Sequence, residues 1–480
     1  MEVFAGINSI VWGLPTVILI ALAGIYLTHA TGAAQLRLLP KSVAMLIQNI
    51  GKKGESTSLR ALCTALAATV GTGNIAGVAG AIAIGGAGSI FWMWICAFLG
   101  MIIKFAEALL AVKYRINNGE GEYRGGPMYI ITGGLSKKWH PMAAAYCLFG
   151  AVAAFGIGGA AQINAVATSV EEAVGVLGGE VAKESGVGIA VLVVMASTVT
   201  LLGGMKRIGS LNEMLVPISA ISYCVLCIGA LIQHYQAIPF AMQQILHGAF
   251  SPQAVTGGAV GSFFLVIRTG AARGTFTNEA GLGTAGIAHG TAAVDHPAEQ
   301  GLMGIIEVFL DTIVICTLTA VVILTSGTEI HYGIDEGAIL TTRAMACTYG
   351  KWITIPMAIF LAAFAFATMI GWGFYGQCCV AYLFGTRAEK TYTVLFTAVT
   401  LASLFASTGN IWILSELANG IMVIPNLVAI LSLAKDVAED TQSFIQAGHL
   451  RQASERIPPK GSRWRRVRSR GHESQESFHR

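Results

Sequence analysis

Eleven apolar stretches constrain this chain more than any single residue does: Ser9–Leu27, Ala61–Ile84, Ile90–Val112, Met142–Val170, Gly188–Leu202, Ile208–Leu231, Val255–Ile287, Leu302–Leu324, Ile353–Phe384, Val394–Phe405 and Ile411–Leu433. A helix of about 20 apolar residues crosses the hydrocarbon core of a bilayer. No water is available there to satisfy backbone groups, so each stretch is expected to be helical. With 54% hydrophobic residues, 12% charged residues and a mean hydropathy of +0.65, the composition excludes an ordinary soluble globule. The expected fold class is an all-α polytopic membrane protein with about eleven transmembrane helices.

Lysine and arginine prefer the cytoplasmic ends of such helices, which gives an independent check on the count. Arg37, Lys41, Lys52 and Lys53 follow the first stretch; Lys113, Arg115, Arg124, Lys137 and Lys138 the third; Lys206 and Arg207 the fifth; Arg387 and Lys390 the ninth. The alternate loops are acidic, with Glu171, Glu172, Glu180 and Glu184, or lack Lys and Arg, as from Gln233 to Gln253. The N-terminus is therefore expected outside and the C-terminus in the cytoplasm. The basic run Arg463–Arg470 agrees and reads as a solvated tail against anionic headgroups. No aromatic interleaving points to nucleic acid. Gln35–Ile50 alternates apolar residues with Arg37, Lys41 and Gln48, a pattern for a helix lying in the interface. The nine cysteines are scattered without metal or disulfide spacing. The first apolar run has no basic segment before it, so it is expected to stay as a transmembrane helix.

Two stretches are poor helices in their middle. Thr69-Val70-Gly71-Thr72-Gly73-Asn74-Ile75-Ala76-Gly77 concentrates glycine and β-branched residues, and each glycine weakens a helix by about 1 kcal/mol relative to alanine. In lipid such a break persists where it packs on protein, lines a cavity or holds a ligand. The seventh stretch repeats the feature, with its interruption expected at Arg268-Thr269-Gly270-Ala271-Ala272-Arg273-Gly274. Setting the first stretch aside leaves two groups of five, each beginning with a broken helix, which is the signature of an inverted repeat around a midplane site. The expected organisation is residues 1–57 as an extra helix plus interfacial helix, 58–233 and 234–435 as the two five-helix repeats, and 436–480 as a basic tail. Lys104 and Glu107, three apart on one helix face, are expected to form a structural ion pair.

The stretch Ala67 to Ala79, then Phe91-Trp92-Met93-Trp94, Ala272-Arg273-Gly274, Asn278-Glu279-Ala280-Gly281-Leu282-Gly283, Glu307-Val308-Phe309-Leu310-Asp311-Thr312 and Asn419 to Leu427 resemble the alanine or glycine:cation symporter family of bacterial and archaeal amino-acid carriers. The resemblance covers about Ala61 to Leu433. It implies a LeuT-like fold of five-plus-five inverted repeats with two discontinuous helices. It further implies sodium-coupled symport of small neutral amino acids in a bacterial inner membrane, with no organic cofactor.

Chemistry then assigns roles. Exposed N–H groups at a half-helix start suit the substrate carboxylate, and unwound carbonyls suit an ammonium or a sodium ion. Thr72 and Gly73 are expected to hold the carboxylate, the Thr269–Ala272 backbone, Gly270 included, the ammonium, and Asn74 either ligand. By similarity to the LeuT-like sodium site, the Ala67 and Val70 carbonyls and the Thr368 hydroxyl are the sodium ligands. Gln162 and Trp372 would close the pocket and Phe276 would crowd it, so glycine and alanine should fit and leucine should not. Glu107, Glu307 and Asp311 keep a proton-coupled carrier open as the alternative. A channel would not need paired broken helices, and no nucleophile or metal constellation supports an enzyme. The partners expected are a small amino acid and the lipid bilayer, with the oligomeric state left open between a monomer and an assembly.

Overall fold

Residues 11–51, 57–117, 122–176, 178, 182–252, 256, 262–405 and 409–456 are described by the computed structural model. The basic run from Arg463 to Arg470 lies outside the described residues. Helices dominate, beginning with α1 Leu14–Ala30, α2 Leu39–Gly51, α3 Thr57–Thr69 and α4 Val78–Gly85, the last two joined by a bend and the π-helical turn Gly73–Gly77. Next come α5 Ser89–Lys113, a two-residue antiparallel ribbon of β1 Ile116–Asn117 and β2 Tyr123–Arg124, and α6 Pro127–Gly134. A long run follows as α7 His140–Ala153, a π-helical segment Ala154–Ala160 and α8 Ala161–Val176, then α9 Ala182–Leu202, α10 Gly204–Gln233 and α11 Ile238–Phe250.

The second half contains α12 Phe263–Asn278, α13 Thr284–His289, α14 Pro297–Val308, a π-helical segment Phe309–Cys316 and α15 Thr317–Thr325. It ends with α16 Ala338–Tyr349, α17 Thr354–Phe384, α18 Ala388–Ala402, α19 Gly409–Ser432 and α20 Ala434–Arg456. Among the described residues, seven helices are long and apolar enough to cross a membrane, and the bent pair α3 and α4 makes an eighth. The other expected stretches are helical but short or divided: α1 has 17 residues, α18 has 15, and α12 with α13 is interrupted. The protein is thus an all-helical, multi-pass membrane protein.

Burial follows the logic of lipid as solvent. On α10 the exposed residues Met214, Ile218, Ile221, Val225, Ile228 and Ile232 recur every three or four positions, while Asn212, Ser219, Tyr223 and Cys227 face inward. Lipid tails solvate an apolar stripe, so the small and polar residues turn to the protein, where they pack closely. α5 is the pillar at the centre, buried over its last three turns from Gly100 to Val112. Backbones approach it closely. A Cβ on Gly304 would stand 2.7 Å from the Lys104 carbonyl oxygen, and one on Gly270 2.3 Å from that of Ser89.

That second contact explains one difference from the sequence expectation. α12 runs unbroken through Arg268–Gly274, because its glycines serve close packing on α5 and leave the helical ladder intact. The interruption falls one step later, at Glu279 to Gly283. There Glu279 (φ 54°), Gly281 (φ 92°) and Gly283 (φ 79°) take the left-handed conformation that two glycines supply at no steric cost.

Candidate functional site: the two helix breaks

The first break lies between Thr69 and Gly73, where the chain turns through 50°. Its local chemistry is set by three side chains. Asn74 folds back so that its Oδ1 accepts from the Gly71 N–H at 2.8 Å, capping the bend from within. The Thr368 hydroxyl of α17 donates to the Ala67 carbonyl at 3.0 Å, and a Cβ on Gly71 would meet the same oxygen at 2.6 Å. Thr72 Oγ1 donates to Gln162 Oε1 at 3.1 Å, while Gln162 Nε2 is held by the Ile157 carbonyl in the π-helical segment before α8. Ala67, Thr368 and the bend at Val70 are therefore together, and so are Thr72 and Gln162.

Asn74 also reaches across the protein. Its Nδ2 donates to Asp311 Oδ1 at 2.7 Å and to the Asp311 carbonyl at 3.1 Å, and contacts Cys316 Sγ at 3.3 Å. Thr312 donates to Asp311 Oδ2 at 2.7 Å, and Asn278 donates to Thr312. Asp311 has no exposed surface, and among the described residues no basic side chain pairs with it. No spacing signal joins Asn74 to Asp311, 237 residues apart.

The second break is capped by a carboxylate. Glu107 Oε1 accepts from the N–H groups of Gly281 at 2.9 Å and Gly283 at 3.1 Å and from Asn426 Nδ2 at 2.7 Å. Glu279 accepts from Trp372 Nε1 at 2.9 Å and from Thr284 at 2.6 Å, and Tyr146 donates to the Leu282 carbonyl. Lys104 and Glu107 do not pair with each other, contrary to the expectation. Lys104 Nζ reaches Glu307 Oε1 at 2.8 Å instead, because α14 lies against α5 close enough to supply the partner.

The remaining expected residues are placed as follows. Trp372 is 1% exposed, packed over Gly158, with its indole N–H committed to Glu279. Phe276 is half-buried on α12 beside Thr277, and Thr277 faces Gly73 and Gly77. Thr269 and Gly270 lie against Gly85 and Ser89, eight and seven residues before Thr277, or roughly 10–12 Å along α12 at 1.5 Å per residue. They are not at the first break. Two cavities, of about 360 and about 200 Å³, share Glu122, Tyr123, Met205, Thr291 and Phe374 at the end of the bundle where α3 begins. Among the described residues no group of three His, Cys, Asp or Glu side chains is arranged to hold a metal.

Two breaks among membrane-length helices, the first capped by Asn74 and the second by Glu107, are the features that any functional reading has to explain. The comparison with known families is decisive: residues 1–456 match the sodium:alanine symporter family, and the chain belongs to it. It is 40% identical over 449 residues to an uncharacterised transporter of Haemophilus influenzae, covering 93% of this chain and 96% of that protein. It is 39% identical over 448 residues to the sodium/alanine symporter AgcS of Methanococcus maripaludis (91% and 96%). It is 32% identical over 433 residues to the amino-acid carrier protein AlsT of Bacillus subtilis (89% and 88%).

Proposed function

We propose that this carrier moves alanine and glycine into the cell with sodium, by alternating access around the first break. The observation that carries the reading is Thr368, whose hydroxyl bridges the Ala67 carbonyl and the glycine bend of a different helix. A hydroxyl and backbone carbonyls are hard oxygen donors, the kind that oxygen-binding cations take. Ala67, Val70 and Thr368 form the proposed sodium site. Thr72, Gly73, Asn74 and Gln162 form the substrate site, with Phe276 and Trp372 as its packed wall. Thr277, facing Gly73, replaces Thr269 and Gly270 as the contribution of α12, and the last two pack against Gly85 and Ser89. Thr368→Ala should raise the half-saturating sodium concentration about tenfold, the loss of roughly one buried hydrogen-bonding oxygen. An unchanged sodium dependence would remove Thr368 from the site.

A LeuT-like inverted repeat, over residues 58–233 and 234–435, is supported by a reciprocal arrangement. α6, between the second and third helices of the first half, lies against the second broken helix, where Pro127 approaches Gly283 and Gly126 approaches Ile287. α16, at the equivalent place in the second half, lies against the first, with Thr341 donating to the Ile75 carbonyl and Asp335 against Gly80. Each half covers the broken helix of the other. With the N-terminus outside and the C-terminus in the cytoplasm of a bacterial inner membrane, the two cavities open inward and the α16 side is closed, latched by Arg273 and Asp335 at 2.6 Å.

The latch is about one-third exposed, so Arg273→Ala should change stability by less than about 1 kcal/mol. Its effect should appear as faster exchange with external substrate, measured by efflux of labelled alanine. The crowded break predicts selectivity as well. Unlabelled glycine should compete with alanine uptake and leucine should not, since forcing added methylenes into packed surroundings typically costs about 1–3 kcal/mol.

A further inference from the structure

The seam between α3 and α10 holds a polar side chain that nothing in the protein satisfies. α10 turns Ile208, Gly209, Asn212 and Val216 inward. Among the described residues, Asn212 is the one buried side chain with two polar atoms, Oδ1 and Nδ2, and a hydrogen-bond partner for neither. It has no exposed surface. A buried amide is costly unless it is paired, so a group of this kind points to a ligand that it serves.

The neighbours fix its place. α3 and α10 both start at the cavity of about 200 Å³, which Arg60, Ala61 and Thr64 line from one helix and Met205, Ile208 and Gly209 from the other. The two helices therefore run inward side by side in the same direction. A Cβ on Gly209 would stand 2.9 Å from the Arg60 side chain and 4.0 Å from Thr64 Oγ1. Asn212 follows Gly209 by three residues and Ala67 follows Thr64 by three, a rise of about 4.5 Å in each helix. Asn212 is thus about level with Ala67, whose carbonyl accepts the Thr368 hydroxyl at 3.0 Å, and one turn inside the cavity. α17, which carries Thr368, packs on both helices.

The chemistry of this position suits a cation that is regaining water. An amide oxygen is a hard donor of the kind such ions take, and the amide NH2 group can donate to a water in the ion's shell. A hydrated ion therefore uses both atoms of Asn212, whereas a bare one uses only Oδ1. Thr64 Oγ1 donates to the Arg60 carbonyl at 2.8 Å and keeps its lone pairs for a second contact. The one cation on this wall, Arg60, is held by Glu213 of α10 at 3.0 Å, which offsets its charge beside the path.

We infer that Asn212 is a transit site for a partly hydrated sodium ion, between the Ala67, Val70 and Thr368 oxygens and the cavity, with the Thr64 hydroxyl as a second oxygen. The inference rests on the reading of the first break as the sodium site and of the cavities as cytoplasmic. It makes the seam between α3 and α10 the route by which the ion leaves.

The test uses the full chain in right-side-out vesicles, with sodium-driven alanine uptake measured against external sodium and, separately, against sodium loaded inside. Internal sodium should inhibit uptake by occupying the exit. Asn212→Asp, which puts a charged oxygen at the site, should lower the half-inhibiting internal concentration about tenfold. Asn212→Leu, which removes both polar atoms, should raise it about tenfold and slow the maximal rate. The half-saturating external concentration should stay within about twofold in both, since the oxygens of the first break are untouched. Asn212→Ser keeps one oxygen, should fall between Asn212→Leu and the unmodified protein, and replaces either variant that does not reach the membrane. Internal and external constants that shift together would place Asn212 in the first site and overturn the inference. So would a changed melting temperature with neither constant moved, the result for a residue that holds only a trapped water. Unmodified vesicles that accumulate no alanine under a sodium gradient would instead overturn the transport reading.

Discussion

Asn74→Leu is expected to abolish transport, lowering uptake by at least about a hundredfold while the protein still reaches the membrane. One side chain makes both the Gly71 cap and the bonds to Asp311 and Cys316. Leucine is close in size but offers no polar atom, so the Gly71 N–H and one Asp311 oxygen both lose their partners in a dry interior. Each buried group left unsatisfied costs about 1–3 kcal/mol, more for a charged one, and about 2.7 kcal/mol is already a hundredfold. Asn74→Asp discriminates further. It keeps an acceptor for Gly71 but sets a carboxylate against that of Asp311, and it should fail as well. Initial rates of labelled alanine uptake, normalised to membrane-inserted protein, are the measurement. Near-normal uptake by Asn74→Leu would show that the cap is dispensable.

Glu107→Leu should act on folding more than on transport. Three donors converge on one Glu107 oxygen, two of them backbone N–H groups in the left-handed turn of the second break. Removing the acceptor leaves all three buried, at about 1–3 kcal/mol each. That sum approaches the whole stability of a typical domain, about 5–15 kcal/mol. The variant should therefore accumulate poorly and melt far below the unmodified protein. Glu107→Gln retains the oxygen that accepts these bonds and should cost much less. Thermal unfolding in detergent, read by tryptophan fluorescence, separates the two, and equal melting of Glu107→Leu and the unmodified protein would contradict the assignment.

These two residues also show how far the sequence could be read. Asn74 was legible, because a polar residue directly after Gly71-Thr72-Gly73 in an apolar run stands out, and the bend at Val70 and Gly71 fell where glycine weakens a helix. The partner of Asn74 was not legible, since nothing local links positions 74 and 311. Lys104 and Glu107 misled for the same reason. Helical spacing suggests a pair, but a helix buried on all sides by α12, α13 and α14 finds its partners on its neighbours. The second break falls later in α12 than its glycines suggest, because glycine has two uses in a membrane helix. At Gly270 and Gly274 it permits close packing, and at Gly281 and Gly283 it permits a positive φ. Composition does not distinguish them. Trp372 has its N–H bound to Glu279 and its ring enclosed, which no sequence pattern reveals, so Trp372→Ala should cost about 3–5 kcal/mol of stability beyond any change in selectivity.

Sodium coupling at the first break is tested most directly by labelled alanine uptake into vesicles containing the purified protein, with a sodium gradient imposed and the pH equal on both sides. Alanine should accumulate above its external concentration, the accumulation should collapse when the sodium gradient is dissipated, and Thr368→Ala should need more sodium to reach the same rate. Concentrative uptake driven by a pH gradient in strictly sodium-free buffer would contradict it, and would move the coupling ion from the Ala67, Val70 and Thr368 oxygens to the buried carboxyl groups.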